Sequence, residues 1–350
     1  MPQGDLAATR SAVGSTISSA SVGQLEVAWT FDLTAVGAYG SITANPIVVG
    51  DTVYIQDMQS NVFALDRATG TLKWKAEHNI ASAGPNGVAV GYGMVYAALG
   101  DTGEVVALDA FSGKLVWRNQ IGNPPGEGID MAPIAYGGLV YVSTVPGGTG
   151  GFYRAGDRGV LYGLDASDGQ VVWWFDTTNG GWGAPRFAGG GGLWYPPSFD
   201  VAGNIYFGVG NPGPYPLSPE CPNASCRPGD NEYTNSMVSL DAKTGGVRWH
   251  YQDRKHDLLG LDFQHTPILT DGMAIGAGKS GNVVAVNANT GALLWKASVG
   301  KHQNDDVTEL PTDDFLEIFP GDYGGVETPI AYANGAVFAT YLDLPKYQGE

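Results

Sequence analysis

The chain has 350 residues and a formal charge of −17, with only 18 Lys and Arg, so it lacks the clustered cations that a phosphate backbone demands, which excludes a nucleic-acid partner. No apolar run approaches the roughly 18 residues of a bilayer-spanning helix, and the N-terminus has no basic segment followed by an apolar one. Glycine at 53 residues, proline at 21 and aromatics at 11% suit many short strands joined by tight turns, and 43% apolar residues suffice for a buried core.

In chain order, the first strand-like segment is LEVAWTFDL, residues 25–33, with Trp29. It reads as an isolated outer strand. The chain after it repeats: VFALDRATGTLKW ends at Trp74, VVALDAFSGKLVW at Trp117, VLYGLDASDGQVVW at Trp173, MVSLDAKTGGVRW at Trp249 and VVAVNANTGALLW at Trp295. Each copy is a hairpin: an alternating apolar strand, a turn opened by Asp66, Asp109, Asp165, Asp241 or Asn287, and a second strand. The Asp or Asn oxygen can accept backbone N–H groups of the turn. Gly70, Gly113, Gly169, Gly245 and Gly291 supply the positive φ that turn and bulge require. Each tryptophan suits a place wedged between neighbouring sheets.

Another strand pair precedes each hairpin, as in ANPIVVGDTVYIQD and TPILTDGMAIGAG, which makes four strands per repeat. Four-stranded units recurring along the chain predict an all-β fold, a β-propeller of antiparallel blades. Five blades are complete. TPIAYANGAVFATYLDL begins a sixth, and the chain reaches Glu350 before its hairpin. The expectation is one propeller domain over 1–350, incomplete at the C-terminus, from an intact protein of seven or eight blades, with an open arc and exposed sheet edges. Insertions at about 145 to 158, 179 to 193 and 211 to 235 are rich in Gly, Pro and Asn. In the last of these, Cys221 and Cys226 are expected to form a short-loop disulfide, which favours an oxidising compartment and so a periplasmic or secreted protein.

YFGVGNPGPY, RPGDNEYTNSMVSLDAKTG and WHYQDRKHDLLGLD, between Trp194 and Asp262, resemble consecutive signatures of the alcohol dehydrogenases that use pyrroloquinoline quinone (PQQ), a group that includes the polyvinyl alcohol dehydrogenases. The resemblance implies an enzyme oxidising a small or polymeric alcohol, with PQQ and calcium on the propeller axis and a cytochrome or other acceptor for the electrons. It assigns Trp194 to the face of the planar cofactor, Asn211 to calcium and Lys279 to the quinone oxygens. Calcium prefers oxygen donors and would polarise the quinone carbonyl while a carboxylate takes the alcohol proton.

The chain also departs from the family pattern. The catalytic aspartate of the family falls on Gly260, which leaves Asp257 or Asp262 as the candidate base. The glutamate ligand of calcium falls on Arg154, with Asp157 the nearest substitute, and a cofactor-gripping arginine falls on Asn86. The adjacent-cysteine pair of many relatives is missing. A second reading therefore stands beside the first: a propeller without catalysis, serving as a binding or assembly scaffold.

The acidic stretch Gln303 to Glu327, with Asp305, Asp306, Glu309, Asp313, Asp314, Glu317, Asp322 and Glu327, reads as a solvated insertion, the alternative being a hard-cation site. His256 and His265 lie near no Ser or Cys nucleophile signature, and no phosphate loop is present.

Overall fold

A computed structural model describes residues 3–12, 14–152, 156–178, 182–183, 187–214, 221–311 and 314–348. Arg154 and Asp313 lie outside the described residues. Five four-stranded antiparallel sheets follow one another along the chain. Blade 1 is Ile47–Val49, Thr52–Gln56, Val62–Asp66 and Leu72–Ala76; blade 2 is Val88–Gly91, Met94–Leu99, Glu104–Asp109 and Leu115–Gln120. Blade 3 is Ile134–Tyr136, Leu139–Ser143, Val160–Asp165 and Val171–Asp176; blade 4 is Ser198–Phe199, Asn204–Gly208, Ser236–Asp241 and Val247–Gln252. Blade 5 is Ile268–Thr270, Met273–Ala277, Asn282–Asn287 and Leu293–Ser298. Of blade 6 the described residues contain the paired strands Ala331–Ala333 and Ala336–Phe338. Helical structure among the described residues is confined to single 3₁₀ turns, and no helix is long and apolar enough to cross a membrane.

The repeat motif explains why each sheet has this form. The middle strands are almost wholly buried, as in Thr52–Gln56 and Val62–Asp66, while outer strands such as Leu72–Ala76 are largely exposed. The register between third and fourth strands shifts at the same point in every blade: after Ala64, Ala107, Gly163, Ser239 and Ala285. Asp241 shows the turn chemistry, with Oδ1 accepting the N–H groups of Lys243 at 3.0 Å and Thr244 at 2.8 Å. The side-chain hydrogen bond from Thr244 is the main influence holding that carboxyl below its usual range.

Each tryptophan then locks its blade to the next. Trp173 lies over Gly245, whose φ is +72° and whose added Cβ would come within 2.7 Å of the indole. The Trp173 Nε1–H donates to the Ala242 carbonyl at 2.9 Å. Trp74, Trp117 and Trp249 repeat this contact on the Ala110, Ala166 and Ala288 carbonyls. The core accordingly runs as a series of apolar layers between successive blades rather than one central mass.

The N-terminal segment departs from its reading as a strand. Residues 25–33 form no sheet ladder among the described residues, yet Trp29 docks like the others, over Gly70 and onto the Arg67 carbonyl at 2.9 Å. The segment therefore occupies the place of a preceding blade's outer strand without the strand beside it. No pairing joins it to blade 6 among the described residues. The N-terminal arm crosses the innermost strands of three blades: the carbonyls of Leu6, Ala7 and Thr9 accept N–H groups of Phe199, Leu269 and Tyr332. Arg10 closes the crossing by donating to the Ile330 carbonyl at 2.6 Å.

Candidate functional site

The end of blade 4's second strand is drawn toward blade 5 by an isolated antiparallel bridge between Val209 and Phe263. Gly208 makes this approach possible, since a Cβ there would lie 2.4 Å from the Phe263 carbonyl. The bridge sets Asn211 beside Asp262, whose Oδ1 accepts the Asn211 N–H at 2.7 Å. From blade 5, the Lys279 N–H donates to the Asp262 carbonyl at 2.9 Å, and the Lys279 ammonium lies 2.8 Å from Asp262 Oδ2. Gly278 permits that contact, because a Cβ on it would come within 2.1 Å of the Asp262 carbonyl. The Asp262 side chain is 1% exposed and that of Lys279 20%, so the pair is sheltered and both carboxylate oxygens are engaged.

Asn211 is itself buried; its Nδ2 donates to the Pro212 carbonyl at 3.0 Å, while its Oδ1 has no hydrogen-bond donor among the described residues. A buried acceptor left open is costly unless something else satisfies it. Trp194 is half-buried, on a segment that runs against the Asn211 loop: the Gly191 N–H donates to the Asn211 carbonyl and the Gly210 N–H to the Gly192 carbonyl, each at 2.9 Å. Tyr195 and Asn86 line a cavity of about 250 Å³ with Gln3, Thr43, Thr328 and Pro329, residues from the N-terminal arm and from the segments leading into blades 1, 2, 4 and 6.

The other candidates lie differently. Asp257 is buried, and its carboxylate accepts Arg254 Nε at 2.7 Å and the N–H groups of Leu259 and Leu261 at 2.9 Å each. Burial, the largest single influence, pushes its pKa up, but Arg254, these hydrogen bonds and Arg227 together hold it below the usual carboxylate range. Asp257 thus organises the loop around Gly260, a buried position with φ of +74°. Asp157 flanks the Gly189–Gly190 strand, its carbonyl accepting the Gly190 N–H, and its carboxylate lies against Gly126. Cys221 and Cys226 form a disulfide, and the neighbouring Arg227 is fully buried, donating to the Pro214 and Asp257 carbonyls and to Asn231.

Glu327 is the residue that sequence reasoning misplaced. It stands at the end of the acidic stretch read as solvated, yet it is half-buried beside Gln264, whose Nε2 lies 3.4 Å from Glu327 Oε2. Burial pushes its carboxyl up to about 7 against the pull of Lys279, with Asp262 and Asp322 adding to the rise. Tyr195, pushed up to about 12 chiefly by burial, donates its hydroxyl to the Glu327 carbonyl at 3.3 Å. Other acidic groups of the stretch disperse, with Asp305 on His302 and Asp322 on Lys346. Among the described residues no three Asp, Glu, His or Cys side chains gather to hold a metal ion.

The β-propeller-domain model of the glucose, ethanol and alcohol dehydrogenases, designated PQQ, matches residues 1–102 and 123–280. A model of the outer-membrane protein assembly factor BamB matches residues 59–179. The chain is 31% identical, over 76% of its length, to the quinohemoprotein alcohol dehydrogenase of Comamonas testosteroni, of which it covers 40%. It is 32% identical, over 69% of its length, to the dehydrogenase subunit of the quinone alcohol dehydrogenase of Gluconobacter oxydans, of which it covers 35%. It spans less than half the length of these curated relatives. Its fold is similar to that of a europium-containing methanol dehydrogenase, with a TM-score of 0.82 at 22% identity over 95% of this chain and 66% of the other.

Proposed function

Because the chain belongs to the glucose, ethanol and alcohol dehydrogenase β-propeller family, we infer that it serves a quinoprotein dehydrogenase that oxidises an alcohol with PQQ. The observation that carries this reading is the meeting of Asn211, Asp262 and Lys279, from the end of a blade 4 strand, the connector and blade 5. An open buried oxygen, a sheltered ammonium and the half-buried indole of Trp194 suit a planar, anionic quinone. When bound, the quinone supplies a two-electron acceptor.

The chain's own groups would act as follows. Asp262 fixes Lys279, so that its positive charge is presented in place without reorganisation to the cofactor's anionic oxygens. Asn211 is held by its own N–H and Nδ2 bonds, which leaves Oδ1 to orient whatever approaches it. Calcium favours a shell of several oxygens including carboxylates, and among the described residues no three Asp, Glu, His or Cys side chains gather to supply one, so no step is assigned to calcium. Passage of electrons to a cytochrome and a periplasmic or secreted location complete the proposal, the latter supported by the disulfide.

The absorbance spectrum of the protein after incubation with PQQ, with and without calcium, tests the reading. Uptake of the quinone, alcohol-dependent dye reduction, and at least a tenfold weaker uptake by Asn211→Ala are expected. No uptake under either condition would leave the scaffold reading in its place.

A further inference from the structure

Resting on that reading, we propose that Glu327 is the group that takes the alcohol hydroxyl proton, in the role that neither Gly260 nor Asp257 can fill. Gly260 has no side chain, and the Asp257 carboxylate is bound by Arg254, Leu259 and Leu261. Both oxygens of Asp262 are already engaged, Oδ2 by the Lys279 ammonium at 2.8 Å and Oδ1 by the Asn211 N–H at 2.7 Å. Of the carboxylates described around this group, Glu327 is the one held loosely.

Its position follows from the backbone. The Val326 N–H donates to the Gly278 carbonyl at 3.1 Å, and a Cβ on Gly325 would lie 2.1 Å from the Lys279 carbonyl. Residues 325–327 therefore lie against 278–279, and the same glycine, Gly278, abuts Asp262. The Glu327 side chain reaches Gln264, two residues after Asp262, while Thr328 and Pro329 line the 250 Å³ cavity with Tyr195. Glu327 thus stands in the chain between residues packed on the Lys279 backbone and two residues that line that cavity.

The charged and titratable groups around it agree with the role. Lys279 favours its anion; Asp262, Asp322 and burial oppose it, and the balance is a carboxyl near 7, close to the optimum for a base working at neutral pH. Tyr195 stays a neutral donor, and His265, edge-on to Tyr195 at 5.8 Å, is kept neutral by burial, its pKa down to about 3. Arg10 is the further cation of the cluster.

The step balances. The alcohol O–H bond breaks and its proton forms a carboxylic O–H on Glu327. The adjacent C–H bond breaks, its hydrogen leaving with the electron pair to the quinone oxidant, and a C=O bond forms. The alcohol is oxidised by two electrons, the quinone is reduced, and Glu327 then releases its proton to solvent.

Glu327→Gln keeps the shape and removes the base, and Glu327→Asp keeps the base. With PQQ added, kcat for alcohol-dependent dye reduction should fall by about 10² to 10⁴-fold in Glu327→Gln, be partly restored in Glu327→Asp, and rise with pH through a midpoint near 7 in the parent protein. Quinone uptake by Glu327→Gln should stay within a few-fold of the parent. Without cofactor, infrared difference spectra should show a protonated carboxyl band that disappears around pH 7 in the parent and is absent from Glu327→Gln. An active parent whose rate and pH profile survive Glu327→Gln overturns the proposal, as does the absence of that band. A parent that takes up no quinone overturns the underlying reading instead, and this role with it.

Discussion

Trp173 holds blade 3 against blade 4 by a contact that recurs from blade to blade, whereas Asp262 holds Asn211 and Lys279 together by contacts that do not follow the repeat among the described residues. The first kind of order is local in origin: an Asp or Asn turn, a glycine at positive φ and a tryptophan four residues on, all within one hairpin. The second joins three separated segments, and glycines at 208 and 278 give it room rather than direction. A propeller can therefore keep its outer architecture while the axial chemistry drifts, which is how Gly260 can stand in a family whose resemblance implies an aspartate there.

The largest expected effect breaks the recurring contact. Trp173 is 7% exposed between two blades, and Trp173→Ala should cost about 4 kcal/mol through the cavity it leaves and the lost bond to Ala242, read as a lower midpoint in urea unfolding. A shift under about 1 kcal/mol would mean that the blade interface does not depend on its tryptophan.

Removing the carboxylate that organises the Gly260 loop should cost somewhat less and bring a pH signature. Asp257→Ala strips Arg254 of its buried partner and should cost about 3 kcal/mol. Because the folded pKa of Asp257 lies below its unfolded value of about 3.9, its contribution is fully present above that value and is lost as pH falls through the folded pKa. The gap between parent and Asp257→Asn in urea midpoint should therefore narrow below about pH 4. A constant gap from acid to neutral pH would show that the carboxylate's charge is not what holds the loop.

The same contrast explains what the sequence made legible. Alternation and the turn signature act within a dozen residues, so five blades, their turns and the Trp docking could be read directly. Glu327 could not, since its burial comes from docking on residues 278–279, while its local context is a run of acids that looks solvated. The choice between Asp257 and Asp262 was also hidden: both flank Gly260, and only Arg254 on one side and Lys279 on the other separate their roles. The N-terminal arm has no alternation in LAATR to announce that it pairs across blades 4, 5 and 6.

Trp295 supplies the smallest effect and the sharpest check on the recurring contact. Its strand, Leu293–Ser298, is exposed along its whole length, and the indole-bearing residue is 36% exposed where Trp249, one blade earlier, is 8%. Trp249 lies over Gly291 and donates to the Ala288 carbonyl at 2.9 Å; the described residues of blade 6 include no such hairpin turn to receive Trp295. Since the cost of truncating a side chain scales with the apolar area it had removed from water and the cavity it leaves, Trp295→Ala should cost under about 1 kcal/mol while Trp249→Ala costs about 4. Both are read from urea midpoints at low protein concentration. If Trp295→Ala instead costs as much as Trp249→Ala, the open edge is covered in solution, and repeating the comparison at several protein concentrations tells whether a second copy of the chain covers it: the difference between the two variants would then grow as concentration falls.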